Sequence, residues 1–185
     1  TRKLHHLMVT EAAAALRVGR DRLFSILREA RELVPRKRAY HKTTHSHHRF
    51  RRHPNLLKAG PEQVVASRPE QVWVADITYL STRESVAYVS LITDAYLRKI
   101  VGHHVHGSLH TESVVRALQK AVSQRKSNQP LIHHSDRGAQ YCSDLYQRMH
   151  TRHGIRCSMT DGYDCYQNAM AERINGILKT EFLLH

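Results

Sequence analysis

The chain has 185 residues, 41% of them hydrophobic, and a formal net charge of +13 at pH 7, enough chain for one real core and a small satellite domain. It holds no run of 18 apolar residues and no charged start leading into an apolar stretch, which argues against a membrane span or signal peptide and sets the expectation of a soluble, intracellular protein. Cys142, Cys157 and Cys165 are odd in number and lack CxxC spacing, so neither a disulfide framework nor a zinc knuckle is expected and the three read as reduced thiols.

The charge is uneven. Residues 1 to 68 hold 16 Lys or Arg against 5 acids, and residues 69 to 185 hold 13 against 11. A basic front on a nearly neutral remainder points to a nucleic-acid-binding segment joined to an enzymatic or scaffold domain; the plainer alternative is a solubilising charged surface. The expected organisation is a helical segment over residues 1–34, a basic linker over 35–69 and a larger domain over 70–185.

In the first segment, EAAAALRVGRDRLFSILREAREL divides into two helical stretches around Arg17, Val18 and Gly19. Ala12, Leu16, Val18, Leu23 and Ile26 have the apolar spacing of two short helices packed across a tight turn, a pattern that resembles a helix-turn-helix. Its second helix would present Arg20, Arg22, Ser25 and Arg28 to phosphates and groove edges. Arg17 stands at the turn position where such motifs usually carry glycine, and an ordinary helical hairpin with exposed arginines is the alternative. The next stretch, PRKRAYHKTTHSHHRFRRHPNLLK, holds eight Lys or Arg and five His with few apolar residues. It reads as an extended or DNA-ordered linker, with Arg36, Lys37, Arg38, Arg51 and Arg52 as candidate phosphate contacts. Its His41, His45, His47, His48 and His53 fit no common zinc spacing and lack a completing Cys or acid.

From Gln71 the pattern changes to strands. VWVADITYL suits a buried strand, and SVAYVSLITDA and KIVGHHVH follow at hairpin-like distances. TESVVRALQKAV places Val114, Val115, Leu118, Ala121 and Val122 on one helical face, with Thr111 as the expected N-cap. A strand at LIHHS, a helix over about residues 143–153 with Ser143 as cap and Gly154 as stop, and a strand at IRCSM come next. A final helix begins near Asn168. The order β-β-β-α-β-α-β-α predicts an α/β fold, a mixed sheet with helices on its faces. The chain starts without methionine and ends at His185 inside an apolar helical pattern, which sets the expectation of a fragment.

Three acids stand where different elements aim at one place: Asp76 in the first strand, Asp136 just past the fourth, and Glu172 in the first turns of the last helix. Active sites of open α/β sheets form beyond strand ends, where such elements converge. Gathered carboxylates repel one another and shift upward in pKa, so a fold that collects them usually collects a cation too. Glu172 and Lys179 are seven apart and share a helical face, so the lysine is a candidate phosphate contact beside the acids. Arg137, Asn168 and Arg173 border the same place as further candidate DNA contacts. His134, Ser135, Gln140 and Tyr141 do so as ligand-orienting or structural residues. Asp94 is a turn former or a fourth acid, the former by preference. Asp144, Asp161 and Asp164 read as loop or cap residues. Tyr163 and Tyr166 are stacking or core aromatics.

VWVADITYL, LITDAYLRKIVG, HHSDRGAQY, GIRCSMT and NAMAERINGILKTEF, in that order, resemble the catalytic core of DDE transposases of the integrase superfamily, closely the insertion-sequence group called the IS three family. The resemblance implies an RNase H-like fold for residues 70–185. It carries the acidic triad onto Asp76, Asp136 and Glu172, with 35 residues between the last two, and the family's following basic residue onto Lys179. It implies Mg²⁺ as cofactor, with Mn²⁺ as substitute, and cleavage and joining of double-stranded DNA at element ends and target, first with water and then with a DNA 3′-hydroxyl as nucleophile. It makes the front helices a terminal-repeat reader and implies at least a homodimer on the DNA of a bacterial nucleoid, with no membrane. Gln167 stands where many relatives have Asp, and relatives usually continue past the last helix. Two other functions fit the residues: a DNA-binding regulator on a catalytically silent scaffold, and a same-fold nuclease that cuts without joining.

Overall fold

The computed structural model describes residues 18–33, 49–82, 85–161 and 168–181. The chain divides into two compact units, Thr1–His41 and Lys42–His185. In the first, helix α1 spans Arg20–Glu29, with Asp21 in its first turn and Arg28 in its last, both complementing the helix dipole. Leu23 is buried, and Arg20, Arg22 and Arg28 are exposed. The expected partner helix before Arg17 lies outside the described residues, as do Arg36, Lys37 and Arg38.

The second unit is built on five strands: β1 (Val72–Ser81), β2 (Val86–Asp94), β3 (Ile100–His106), β4 (Leu131–Ser135) and β5 (Ile155–Met159). Their spatial order is β3-β2-β1-β4-β5. The β1–β2 and β2–β3 pairs are antiparallel, and β4 joins both β1 and β5 in parallel, so the sheet is mixed as expected. The central strand β1 is apolar on both faces because both are covered. Trp73, Ala75 and Ile77 pack with Val114, Leu118 and Ala121 of helix α2 (Thr111–Ser123) and with Tyr146 of helix α4 (Asp144–Arg152). Val72 and Val74 pack on the other side with Ile132, Ala171 and Leu56. Helix α5 (Ala169–Glu181), which carries Ala171, thus lies on the second face.

Local chemistry explains most of the boundaries. Ser143 caps α4, its Oγ accepting from the Tyr146 N–H, and Gly154 follows with φ +61, a left-handed value that favours glycine at a helix stop. Asp94 is fully buried and accepts from the N–H groups of Tyr96, Leu97 and Glu70, so it is the turn former of the β2–β3 connection rather than a fourth site acid.

Three expectations need correction. Helix α2 starts at Thr111, but His110 is its N-cap and makes no side-chain cap bond. A one-turn helix, α3 (Ala139–Cys142), stands between β4 and α4, where no element was expected. The linker expected over residues 35–69 is, in its second half, part of the folded unit. The Pro54 carbonyl accepts from Met159 N–H on edge strand β5, and Leu56 N–H donates to Ser158 Oγ. Leu56 is 2% exposed, and Leu57, Val64 and Ala66 pack with it. A few apolar residues at the end of a basic stretch suffice to cover part of the second face of the sheet beside α5, and the average composition hides them.

Candidate active site

Asp76 sits in mid-β1, opposite Leu91 of β2. Its carboxylate accepts from its neighbour's N–H at Ile77, 2.9 Å, and from the Asn175 amide of α5, 2.6 Å. Burial pushes the carboxyl up to about 7, the Asp136 and Glu172 charges push in the same direction, and the two hydrogen bonds oppose them. Asp76 therefore feels both other acids of the expected triad, one from beyond β4 and one from α5.

Asp136 follows Ser135, the last residue of β4, and its Oδ1 accepts from the Gly138 N–H at 2.9 Å. A Cβ at Gly138 would stand 3.0 Å from that same oxygen. Glycine there leaves room for the carboxylate, and its φ of −62 calls for no special backbone. Glu172 is exposed in the first turn of α5, its carboxyl raised by partial burial.

The three carboxylates are not gathered within one coordination shell: no group of three or more His, Cys, Asp or Glu is placed to hold a metal among the described residues. Asp76 is held by the Asn175 amide. The donor set nonetheless fits a hard cation. It is all carboxylate oxygen, and the burial and like charges that raise Asp76 are what a bound cation would offset.

Helix α5 supplies the rest of the site from one face. Asn168, Glu172, Asn175 and Lys179 recur every three or four residues. Asn168, expected to touch DNA, is instead buried and donates from Nδ2 to the Ala75 carbonyl at 3.1 Å, tying the helix start to β1 beside Asp76. Asn175 was missed by sequence reasoning. Its place in the same three-and-four spacing as Glu172 and Lys179 was the signal that would have found it. Lys179 is half-buried, its Nζ 4.0 Å from the centre of the Tyr79 ring, and it feels the Asp76 charge. Burial lowers its pKa and Asp76 counters that shift.

Of the other expected contacts, Arg173, Arg51 and Arg52 are exposed. Arg137 is largely covered and lies 3.8 Å from Asp161, which also takes Lys58 at 2.8 Å. This makes Asp161 a bridge between the site loop and the 54–66 segment rather than a plain loop acid. His134 is buried and bonds Ser158 Oγ. Gln140 donates to the Leu109 carbonyl, and Tyr141 is buried in the main core. Tyr163, Asp164, Cys165, Tyr166 and Gln167 lie outside the described residues, as do His41, His45, His47 and His48.

The integrase core domain matches residues 66–165, more than half of the chain and including Asp76 and Asp136. The chain belongs to the integrase core domain family. Within it, the relatives are insertion-sequence proteins. The 31 kDa protein of insertion element IS600 from Shigella sonnei is 39% identical over 168 residues, 91% of this chain and 61% of its own length. The transposase of element IS629 from Shigella sonnei is 42% identical over 65% of this chain and 40% of its own. Transposase InsF of IS3A from Escherichia coli is 39% identical over 69% and 43%. The chain therefore spans about 40 to 61% of these curated relatives. Among solved structures, a simian T-cell lymphotropic virus intasome aligns at TM-score 0.55 and 22% identity, covering 75% of this chain and 46% of the other. The HTLV-2 integrase catalytic core in complex with magnesium aligns at 0.53 and 20%, covering 65% and 77%. At those identities the likeness speaks for the fold, and it makes this integrase core member RNase H-like, as the sequence implied.

Proposed function

We propose that this integrase core is the catalytic part of an insertion-sequence transposase that cuts double-stranded DNA at element ends and joins the freed 3′-hydroxyl to a target. The observation that carries the reading is the placement of Asp76 in mid-β1, hydrogen-bonded by Asn175 of α5, with Asp136 just beyond the parallel neighbour strand β4, both acids lying within the stretch that matches the integrase core. Supporting it are the named transposases among the relatives and a net charge of +13, suited to a polyanionic substrate.

Asp76, Asp136 and Glu172 would hold Mg²⁺, with Mn²⁺ as a substitute, since carboxylate oxygens suit hard cations. When bound, the ion supplies activation of the attacking oxygen and stabilisation of the leaving one in displacement at phosphorus. Asn175 holds and orients Asp76 through its 2.6 Å hydrogen bond. Asn168 fixes the start of α5 against β1, which sets where Glu172 stands. Lys179 draws a DNA phosphate toward the Asp76 side of the site. Arg173, Arg51 and Arg52 add backbone contacts, and Arg137 acts through Asp161. The front segment, with Arg20, Arg22 and Arg28 exposed on α1, reads the terminal repeat. Arg36, Lys37 and Arg38 follow it along the backbone. Joining two element ends needs at least two copies on the DNA. No helix among the described residues is long and apolar enough to cross a membrane, and a DNA substrate in bacterial hosts such as those of the relatives would make the nucleoid the place of action.

The test is a strand-transfer assay with element-end DNA and Mg²⁺. Asp136→Asn is expected to lower cutting and joining at least about 100-fold with DNA affinity unchanged. Retained joining would sink the reading, and wild-type cutting without joining would make the protein a nuclease.

A further inference from the structure

Tyr79 has no part in the triad, yet its ring is where the side chain of Lys179 comes to rest. The residue stands three places after Asp76 on β1, and the Lys179 Nζ lies 4.0 Å from its ring centre. A lysine on a four-carbon stem otherwise samples many rotamers, and an aromatic face within about 6 Å of an ammonium attracts it through the ring quadrupole, more so where water is partly excluded. Both groups are half-buried. They come from the two elements that also meet through Asp76 and Asn175, β1 and α5. Lys179 follows Asn175 by four residues, one helical turn, so the same stretch of helix is held at two points on β1: a carboxylate and an aromatic face.

We propose that Tyr79 is a positioning residue: its ring, three residues along β1 from Asp76, seats the Lys179 ammonium, so that a phosphate of the DNA strand meets the cation at a fixed point relative to the strand that carries the acid. This rests on the transposase reading for its consequence, but not for the seat itself. The attraction is to the ring face, so phenylalanine serves as well as tyrosine, and an aliphatic side chain of similar bulk does not.

Two readouts in the full chain separate the seat from the function. The first is the NMR shift of the Lys179 Cε methylene protons, assigned against Lys179→Ala. Ring current moves them upfield in the wild type and in Tyr79→Phe, and the shift is lost in Tyr79→Leu. The second is strand transfer on element-end DNA. Tyr79→Leu lowers kcat/KM about 3- to 10-fold while Tyr79→Phe retains it, and Tyr79→Leu in a Lys179→Ala background adds no further loss. Equal losses in the two backgrounds would overturn the proposal, as would loss in Tyr79→Phe or a Lys179 shift indifferent to Tyr79→Leu. If the wild type neither cuts nor joins, the functional reading falls by itself and the proton shift alone decides the seat.

Discussion

Asp76 is a carboxyl placed against its own preference: burial and two neighbouring acids raise it to about 7, against an ordinary value of 3.8. The folded chain without metal thus takes up this proton more readily than the unfolded chain. Below about pH 4 both states hold it and nothing is lost; from there to about pH 7 the ionised group increasingly costs stability, and above pH 7 the cost is complete. Asp76→Asn, which keeps an acceptor for the Ile77 N–H, is expected to raise the Tm of the metal-free chain by at least about 3 °C at pH 8 and by little at pH 4. Thermal denaturation in chelator at both values checks this, and a gain equal at both would contradict it. Asp76 and Asp136 stand out in sequence as candidates because each interrupts or follows a short strand pattern with a charge. Asn175 does not, since an amide within a helix carries no charge to single it out. Asn168, read as a DNA contact, is instead buried on the Ala75 carbonyl, because sequence does not show which way an amide turns.

At the scale of elements, the sheet was legible because its strands are short apolar runs between turn residues, and α2 because its apolar face repeats at helical spacing. What escaped depended on tertiary contact. The single turn of α3 has too few residues to show a period. Close packing of α2 on β3 is also invisible in a residue pattern, though it rests on one glycine. A Cβ at Gly102 would meet the Ala117 carbonyl at 2.4 Å and the Ala121 Cβ at 2.8 Å. Gly102→Ala must therefore push the helix from the sheet and is expected to destabilise the fold by roughly 1–3 kcal/mol. Gly107→Ala, with nothing within 4 Å of its new methyl, is expected to change stability by less than about 0.5 kcal/mol. Urea unfolding of the two variants measures the contrast, and equal effects would show that this contact does not limit the packing.

For the molecule as a whole, the division falls after His41, well before the boundary expected near residue 70, because the chain from Pro54 to Ala66 covers part of the second face of the sheet. A chain beginning at Lys42 is expected to unfold in one cooperative transition. Leu56→Ala within it is expected to lose roughly 2–5 kcal/mol, as for a buried leucine whose space cannot close, with calorimetry or urea unfolding as the check. Charge asymmetry was read correctly as a basic front, but net charge reports partners and says little about where a core begins. The central claim concerns the meeting of Asp76, Asp136 and Glu172 around a divalent ion, and Mn²⁺ titration followed by electron paramagnetic resonance tests it most directly. The wild type is expected to bind Mn²⁺, with at least about 10-fold weaker binding in Asp76→Asn, Asp136→Asn and Glu172→Gln. Unchanged Mn²⁺ binding in all three variants would contradict the account.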